Sequence, residues 1–266
     1  MMTDYSFVIY HTQTVASRER WQAVMAMLNT LNLQAHSQLI DQKISQKWLK
    51  TAQDGALLID DKGNTGLVAN GMTVSPNWSN LQQRVIKAGK KTELLLKAMR
   101  LQAGMSVIDA TAGFGHDSLI LASTGAHITM IEQQPFMYIL LVLEEQHMHQ
   151  QPNWQKLLQR LTLVFGDAAQ QLASPVSHGV DRVYLDPMFP QDSYKSAVNK
   201  HMQVLHHVAK PPDFAAEQQL LQVALGQLSP DGKVVVKRPK NAPFLANVAP
   251  IHSTQNDLVR YDEYQR

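Results

Sequence analysis

Five short apolar runs recur in the part of the chain after residue 104, and helical patterns separate most of them. The runs predict strands at 105–109, 127–132, 161–166, 181–186 and 232–237, and the intervening patterns predict helices near 116–124, 135–149, 193–209 and 213–228. Strands that alternate with helices in this way form an α/β fold with a parallel, doubly wound sheet and helices on both faces. Two further runs, at 248–253 and 258–264, predict a terminal pair of strands with no helix between them.

The first 80 residues have a different, mixed pattern. Residues 6–10 have strand composition, and Ser17 is suited to cap a helix that runs to about Leu31. Strands at 56–60 and 66–69 follow, joined by a turn signal, and predict a hairpin. We therefore expect three parts: a small α+β domain at 1–80, a basic helical connector at 81–103 and an α/β domain at 104–266.

The connector is predicted as one basic helical stretch over residues 81–101. Its basic side chains are Arg84, Lys87, Lys90, Lys91, Lys97 and Arg100. Such a charged face is typical of a helix that lies on a core with its cations in solvent. It is also suited to contact the phosphates of a nucleic acid.

Composition excludes several classes of site. The chain has 266 residues and no cysteine, so disulfides, thiolate metal sites and a cysteine nucleophile are all excluded. Its histidines do not follow a metal-binding spacing, so no metal site is predicted. The net charge of +2 gives little indication of any partner. No stretch approaches the ~18 apolar residues of a membrane helix, and no signal peptide is recognisable, so we expect a cytoplasmic protein.

Acidic residues lie at the carboxyl ends of four predicted strands. Asp109, Glu132 and Asp186 are the last residues of the first, second and fourth strands, and Asp167 directly follows the third. Ligands of doubly wound sheets bind at the carboxyl ends of the strands, near the point where the strand order reverses. The sequence therefore predicts an acidic ligand site at that edge.

The loop after the first strand reads Asp109-Ala110-Thr111-Ala112-Gly113-Phe114-Gly115 and resembles loops that hold S-adenosylmethionine. Gly113 and Gly115 are suited to a sharp turn and a close approach of the backbone to a ligand. Asp109 is placed to accept a hydrogen bond from the methionine part of the cofactor or from bound water. His116 and Asp117 open the next helix, where free N–H groups are available to a carboxylate.

Two later strand ends are suited to the nucleoside part of the same cofactor. Glu132 is placed to accept hydrogen bonds from two ribose hydroxyls. Asp167 is placed to accept from an adenine amino group, and the small side chain of Ala168 leaves room for the ring. The alternative is a nicotinamide-binding domain, but Ser118 replaces the third glycine of that pattern, and Asp117 would repel a pyrophosphate.

The segment Asp186-Pro187-Met188-Phe189-Pro190 predicts the reaction site. An exocyclic amine of a base is a poor nucleophile, and acceptors for its N–H groups stabilise the charge that develops there. The Asp186 carboxylate and the Pro187 carbonyl are two such acceptors, and Phe189 offers a ring for stacking. A strand-end turn is the structural alternative, because Asp-Pro commonly begins turns.

Several cations near this edge are candidate RNA contacts. Lys237 and Arg238 end the last parallel strand, and Lys195 follows the Asp186 segment. Lys90 and Lys91 of the connector are further candidates. A solvent-exposed pair is the alternative for the strand-end cations.

Three segments together resemble the bacterial small-subunit (16S) ribosomal RNA guanine-N2 methyltransferases of the RsmJ type. They are 107–115, 184–190 and 234–239, with the similar segment 242–247, and the resemblance covers about residues 104–262. It implies a class I (Rossmann-like) methyltransferase domain, S-adenosylmethionine as donor, and one guanosine of 16S rRNA, free or in the 30S subunit, as target. By motif position it implies cofactor contacts at His116, Asp117, Glu132, Gln133, Asp167, Ala168 and Asp186. His116 and Gln133 stand where this family usually has arginine.

Two other functions stay open at this point. Enzymes with a related Asn/Asp-Pro-Pro-aromatic loop methylate adenine N6 in DNA or RNA, or a protein glutamine. Met188 stands in place of the second proline of that loop, which favours the RNA guanine-N2 family. A non-catalytic RNA-binding relative is the other, although the acidic and glycine positions of the predicted cofactor site are intact.

Overall fold

The structure, a computed structural model, describes residues 7–89, 91–173, 179–189 and 211–266. These residues form two compact units. The first contains the described residues up to Ser75 together with Pro135–Leu140, and the second contains the others, beginning at Pro76. The helix expected near 193–209 lies outside the described residues, as do Lys90 and Lys195.

The first unit contains a five-stranded sheet in the order β2-β1-β3-β4-β5. Its strands are β1 (Phe7–His11), β2 (Ala35–Leu39), β3 (Leu57–Ile59), β4 (Thr65–Ala69) and β5 (Met72–Val74). β1 pairs in parallel with β2 and β3, and the other pairs are antiparallel. The predicted hairpin is confirmed as β3 and β4. In its turn, Oδ1 of Asp60 accepts hydrogen bonds from the backbone N–H groups of Lys62 and Asn64.

Helix α1 (Val15–Thr30) begins three residues earlier than the sequence predicted. Thr14 is its N-cap, and the Thr14 hydroxyl accepts a hydrogen bond from the N–H of Ser17. The predicted cap, Ser17, lies instead inside the first turn and is fully buried. Its hydroxyl accepts from the N–H of Thr12 and donates to the carbonyl of Ile59. The prediction was wrong because Ser17 links the helix to two strands rather than to its own backbone. A short helix, α2 (Gln46–Leu49), follows.

The second unit contains a seven-stranded sheet in the order β11-β12-β10-β9-β6-β7-β8. Its strands are β6 (Ser106–Asp109), β7 (His127–Glu132), β8 (Leu161–Phe165), β9 (Val180–Leu185), β10 (Leu228–Pro239), β11 (His252–Gln255) and β12 (Val259–Tyr264). The five strands from β10 to β8 are parallel, which confirms the predicted doubly wound sheet. β12 pairs antiparallel with β10 and with β11, so the terminal pair is also confirmed, although β11 begins four residues later than predicted.

Among the described residues from 82 onward, single helices or pairs of helices lie before and between these strands. They are α3 (Gln82–Lys87), α4 (Leu94–Met99), α5 (His116–Ala122), α6 (Pro135–His149), α7 (Pro152–Leu158), α8 (Ala168–Leu172) and α9 (Phe214–Gly226). The predicted single helix at 81–101 is wrong. It is divided into α3 and α4 at the segment that contains Gly89, where the hydroxyl of Thr92 donates to the carbonyl of Lys87. Within the described residues, every helix is too short or too polar to span a lipid bilayer.

Alternate residues of the parallel strands enter two separate apolar clusters. Val107, Tyr184 and Val235 pack in one cluster. Ile108 and Val183 pack in the other. Since neighbouring side chains of a strand point to opposite faces, the two clusters cover the two faces of the sheet. A sheet buried on both faces leaves its strand ends as the place where polar side chains reach a ligand.

Candidate active site

The carboxyl ends of β6, β7, β9 and β10 form one edge of the second unit's sheet. From β6 the chain adds β7 and β8 on one side and then β9 and β10 on the other, so the strand order reverses beside β6. Asp109 and Glu132 are the last residues of β6 and β7, and Asp186 directly follows β9. The structure thus brings three of the four predicted strand-end acids to adjacent strands at the reversal point.

Asp109 is buried at this edge. Its Oδ1 accepts a hydrogen bond of 3.1 Å from the backbone N–H of Thr111, and its Oδ2 accepts one from the hydroxyl of Ser118. Burial raises the pKa of Asp109 to about 7, although the hydrogen bonds from Ser118 and Thr111 oppose the shift. The carboxyl group therefore fixes the loop and the start of α5, and it resists ionisation.

Glu132 holds the glycine loop from the neighbouring strand. Its Oε2 accepts from the N–H of Gly113 at 2.9 Å, and its Oε1 accepts from the N–H of Gln134 at 2.7 Å. Only 6% of Glu132 is exposed, and burial raises its pKa to about 7. The backbone N–H of Gln133 also acts on this carboxyl group. A carboxylate has about four lone-pair positions, so capacity remains for a further donor.

The two glycines of the loop have positive φ angles of 57° at Gly113 and 74° at Gly115. A Cβ on Gly115 would lie 2.8 Å from Cε of Met130 and 3.0 Å from Cζ2 of Trp78. We expected Gly115 to allow a ligand to approach, and the structure corrects that reason. The absence of a side chain at Gly115 makes room for the protein's own core.

His116 and Asp117 both begin α5, but their side chains make different contacts. Nε2 of His116 lies 2.6 Å from the carbonyl oxygen of Pro76. Oδ2 of Asp117 accepts from the hydroxyl of Tyr184 at 2.7 Å and from Nζ of Lys237 at 3.0 Å. Burial would raise the pKa of Asp117, but the charge of Lys237 and the hydrogen bonds from Tyr184 and Lys237 together outweigh it, and the pKa is lowered. Asp117 is therefore held as a carboxylate.

Asp186 shares the same lysine. Its Oδ2 accepts from Nζ of Lys237 at 2.8 Å, and about a third of its side chain is exposed. Burial raises the pKa of Asp186, Lys237 opposes that shift and Asp117 adds to it. Lys237 itself has its pKa raised, because the two carboxylates outweigh the effect of burial. One ammonium thus lies between two carboxylates at the end of β9.

A hydrogen bond joins the predicted cofactor loop to the predicted reaction segment. The backbone N–H of Asp186 donates to Oγ1 of Thr111 at 2.6 Å. The carbonyl of Tyr184 accepts from the N–H of Ala110 in the same region. The two segments that the sequence singled out separately are therefore in direct contact.

The remaining predicted nucleoside contacts lie nearer the surface. Asp167 is exposed and caps α8, because its Oδ1 accepts from the N–H of Gln170 at 2.9 Å. Ala168 is half-buried at the start of the same helix, and Gln133 is exposed after β7. Each follows a strand that ends at the same edge as Glu132.

The structure corrects two predictions made for Phe189 and Arg238. Only 5% of Phe189 is exposed, and the guanidinium carbon of Arg238 lies 4.4 Å from its ring centroid. Arg238 is also buried, and it donates to Oε1 of Glu217 and to the carbonyl of Pro243. Phe189 therefore offers no free ring face comparable to a stacking platform, and Arg238 is committed within the protein rather than to phosphate. Pro187, which lies between Asp186 and Phe189 in the sequence, is buried.

The predicted RNA contacts are separated by the structure. Lys237 is bound to Asp117 and Asp186, so its charge serves the carboxylates, which corrects its assignment to phosphate. Lys91 is exposed in the segment between α3 and α4. Lys90 and Lys195 lie outside the described residues.

Sequence reasoning missed Tyr184 and Thr111 as parts of this site. Tyr184 lies two residues before Asp186, and a period of two places both on one side of the chain. Lys237 was a candidate by sequence, but its partner was not, because the pairing of Val236 with Leu185 that brings it beside Asp186 is set by the register of β10 and β9. No group of histidines and acids suited to a metal ion occurs among the residues that the structure describes.

The charges of this edge fit a cationic nucleoside. Four carboxyl groups, those of Asp109, Asp117, Glu132 and Asp186, lie at this edge, and Lys237 is paired with two of them, Asp117 and Asp186. S-adenosylmethionine carries a sulfonium and an ammonium against one carboxylate, and its ribose offers two hydroxyl donors. An acidic edge with spare carboxylate lone pairs on Glu132 suits both features. The pyrophosphate of a dinucleotide would be repelled by the Asp117 carboxylate at the start of α5.

Comparisons with known proteins agree with this geometry. Residues 32–266 match the family described as "Putative SAM-dependent methyltransferase". Ribosomal RNA small subunit methyltransferase J of Psychrobacter cryohalolentis is 44% identical, and the match covers 97% of this chain and 94% of that protein. The protein of the same name from Acinetobacter baumannii is 35% identical, covering 93% and 90% of the two chains.

A solved structure has the same fold over almost the whole chain. The crystal structure of a SAM-dependent methyltransferase from Neisseria gonorrhoeae matches with a TM-score of 0.67 and 26% identity. The match covers 97% of this chain and 95% of that one.

Proposed function

We propose that this chain, which belongs to the family of ribosomal RNA small subunit methyltransferase J, methylates the exocyclic N2 amino group of one guanosine in 16S rRNA. Membership of this family confirms the resemblance, the enzyme class and the methyl donor that the sequence led us to expect. The base, the atom and the form of the substrate are the parts that we propose. We include the 30S subunit as the substrate and the cytoplasm, where ribosomes are, as the location.

One observation supports the proposal most strongly. The Asp186 segment is hydrogen-bonded to the loop after β6 through Thr111, and its carboxylate is paired with Lys237. An acceptor for an amine N–H therefore lies directly beside the proposed cofactor loop. This is the arrangement that methyl transfer to a weakly nucleophilic amine needs.

The residues proposed to hold the cofactor divide by the part they meet. Glu132 accepts the ribose hydroxyls, with Gln133 beside it, and Asp167 and Ala168 meet the adenine. Asp109, Asp117 and the loop of Gly113 to His116 meet the methionine part. Gly113 is positioned by its own hydrogen bond to Glu132, so one carboxylate orients both the ribose and the loop.

When bound, S-adenosylmethionine supplies a methyl group already activated by its sulfonium. The Asp186 carboxylate accepts a hydrogen bond from one N–H of the amine and stabilises the positive charge that develops on that nitrogen. The Pro187 carbonyl accepts a hydrogen bond from the second N–H. The charge of Lys237 opposes the rise that burial and Asp117 cause in the pKa of Asp186, and so it favours the carboxylate, the form that accepts best.

The proposal is tested by offering the enzyme labelled S-adenosylmethionine with unmodified 30S subunits, naked 16S rRNA, DNA and a mixture of proteins. Digestion of the labelled product to nucleosides then identifies the modified base. We expect N2-methylguanosine at one position of 16S rRNA. Label in N6-methyladenosine or in protein glutamine would assign the same site to another amine.

A further inference from the structure

Two arginine–phenylalanine pairs lie at this edge, and they differ in exposure. Arg238 lies 4.4 Å from the ring centroid of Phe189, and Arg260 lies 4.5 Å from that of Phe244. Both arginines are buried, but Phe189 is 5% exposed while Phe244 is 36% exposed. A guanidinium on one side of a ring contributes a cation–π contact and holds the ring in place. Only the second pair therefore presents an aromatic surface to solvent.

The loop that carries Phe244 is held by its backbone. Arg260 donates to the carbonyl of Lys240 at 2.8 Å and to that of Ala242 at 3.2 Å. After Phe244, the N–H of Ala246 donates to Oε2 of Glu217 at 2.9 Å. The ring thus stands on a loop fixed on both sides, so a ligand that contacts it would cost little ordering entropy.

A continuous series of contacts connects this loop to the Asp186 segment. Phe189, three residues after Asp186, packs on Arg238, and Nε of Arg238 donates to the carbonyl of Pro243 at 3.0 Å. Pro243 directly precedes Phe244. The loop leaves β10 at Pro239, beyond the point where Val236 pairs with the last residue of β9. Phe244 therefore lies at the same edge of the sheet as the carboxylate of Asp186.

We propose that Phe244, rather than Phe189, is the aromatic platform on which a nucleobase of the RNA substrate stacks beside Asp186. This inference rests on the proposed function and adds the residue that grips the base. A base taken out of its helix loses its stacking partners, and an exposed aromatic ring replaces one of them. The guanidinium of Arg260 supports the other side of that ring.

The test compares substitutions of Phe244 in the full-length enzyme with 30S subunits as acceptor. Phe244→Leu keeps an apolar side chain of similar size but removes the ring, Phe244→Trp keeps a ring, and Phe244→Ala removes both. Ile251→Ala is the matched control, because Ile251 is 60% exposed. Its N–H donates to the carbonyl of Glu263, which pairs with Val235 and so lies away from the carboxyl end of β10. The kcat and KM for RNA, the Kd for S-adenosylmethionine and the melting temperature are measured for each.

We expect Phe244→Leu and Phe244→Ala to lose about 5- to 150-fold in kcat/KM for RNA, the range of one stacked base. We expect Phe244→Trp to stay within about threefold of the wild type, because it retains a stacking face. Cofactor binding and the Ile251→Ala variant should be unchanged. Retention of wild-type kcat/KM by Phe244→Leu would overturn the inference. If the wild type transferred no methyl to rRNA, the proposed function would fail, and this inference with it.

Discussion

The ammonium of Lys237 lies 2.8 Å from Oδ2 of Asp186; Lys237 is in β10, and Asp186 directly follows the neighbouring parallel strand β9. The same ammonium lies 3.0 Å from Oδ2 of Asp117. The charge of this cation lowers the pKa of both carboxyl groups, in a place where burial and mutual repulsion raise it. Lys237 thus favours a carboxylate at the position where positive charge develops on the reacting amine.

Removing this cation should shift the pH dependence of the reaction. In Lys237→Met, the rise that burial and Asp117 cause in the pKa of Asp186 loses its largest opposing charge, and only weaker ones such as that of Arg238 remain. Because the carboxylate is the active form, the acidic limb of kcat/KM should move to higher pH. The measurement is kcat/KM for RNA from about pH 5 to about pH 9, a window that includes the pKa values of buried carboxyl groups.

Lys237→Arg is the control, because it retains a positive charge beside both carboxylates. We expect its acidic limb to stay near that of the wild type. An unchanged acidic limb in Lys237→Met would show that the lysine does not control the ionisation of Asp186.

Glu132→Ala should weaken cofactor binding through the ribose. The substitution removes two acceptors for hydroxyls and also the anchor of Gly113. We expect the Kd for S-adenosylmethionine to rise about 10- to 100-fold, as for one or two charge-assisted hydrogen bonds. Isothermal titration calorimetry with the cofactor measures this directly.

An analogue that lacks both ribose hydroxyls separates the two effects of Glu132. If Glu132 binds the ribose, the substitution should weaken this analogue much less than it weakens the cofactor itself. An equal loss for both ligands would assign Glu132 to the loop alone.

Asp109 should make the ligand-free protein less stable at alkaline pH. Burial raises its pKa from 3.8 to about 7, so its contribution to the free energy of unfolding is complete below pH 3.8 and is lost as the pH rises through 7. Asp109→Asn keeps partners for Thr111 and Ser118 but never ionises. We expect the free energy of unfolding of this variant to exceed that of the wild type by about 4 kcal/mol at alkaline pH and by little at acidic pH.

Urea denaturation at a pH near the unfolded pKa of 3.8 and at a pH above the folded pKa of about 7 checks this sign. Asp257→Asn is the control, because the Asp257 side chain is fully exposed. A difference between Asp109→Asn and the wild type that did not grow with pH would contradict the assigned burial effect.

The periodic parts of the fold were predictable from sequence, and the polar parts were not. Helix α6 occupies the predicted residues 135–149, because its apolar pattern is continuous. Strand β2 was missed, since Ala35–Leu39 contains three polar residues and has a half-buried, half-exposed pattern. The break between α3 and α4 was missed because the basic residues continue through it. Long apolar runs fix an element, whereas edge strands and breaks depend on contacts distant in sequence.

The candidate site was predictable in its acids but not in its cations. Asp109, Glu132 and Asp186 could be placed because strand ends follow from the apolar pattern. Lys237 and Arg238 are adjacent in sequence and were predicted to act alike, yet neighbouring strand residues face opposite sides. One bonds the carboxylates of the site, and the other bonds Glu217 and covers Phe189. Their partners come from α5, α9 and β9, which no local pattern connects.

The central claim is that the Asp186 carboxylate stabilises charge on the reacting amine, and single-turnover methyl transfer tests it most directly. Wild type and Asp186→Asn are mixed with labelled S-adenosylmethionine and unmodified 30S subunits, with cofactor binding measured in parallel. We predict that the variant binds the cofactor but transfers methyl about 10²- to 10³-fold more slowly, as for loss of one preorganised electrostatic contact. Transfer by Asp186→Asn at the wild-type rate would contradict the account.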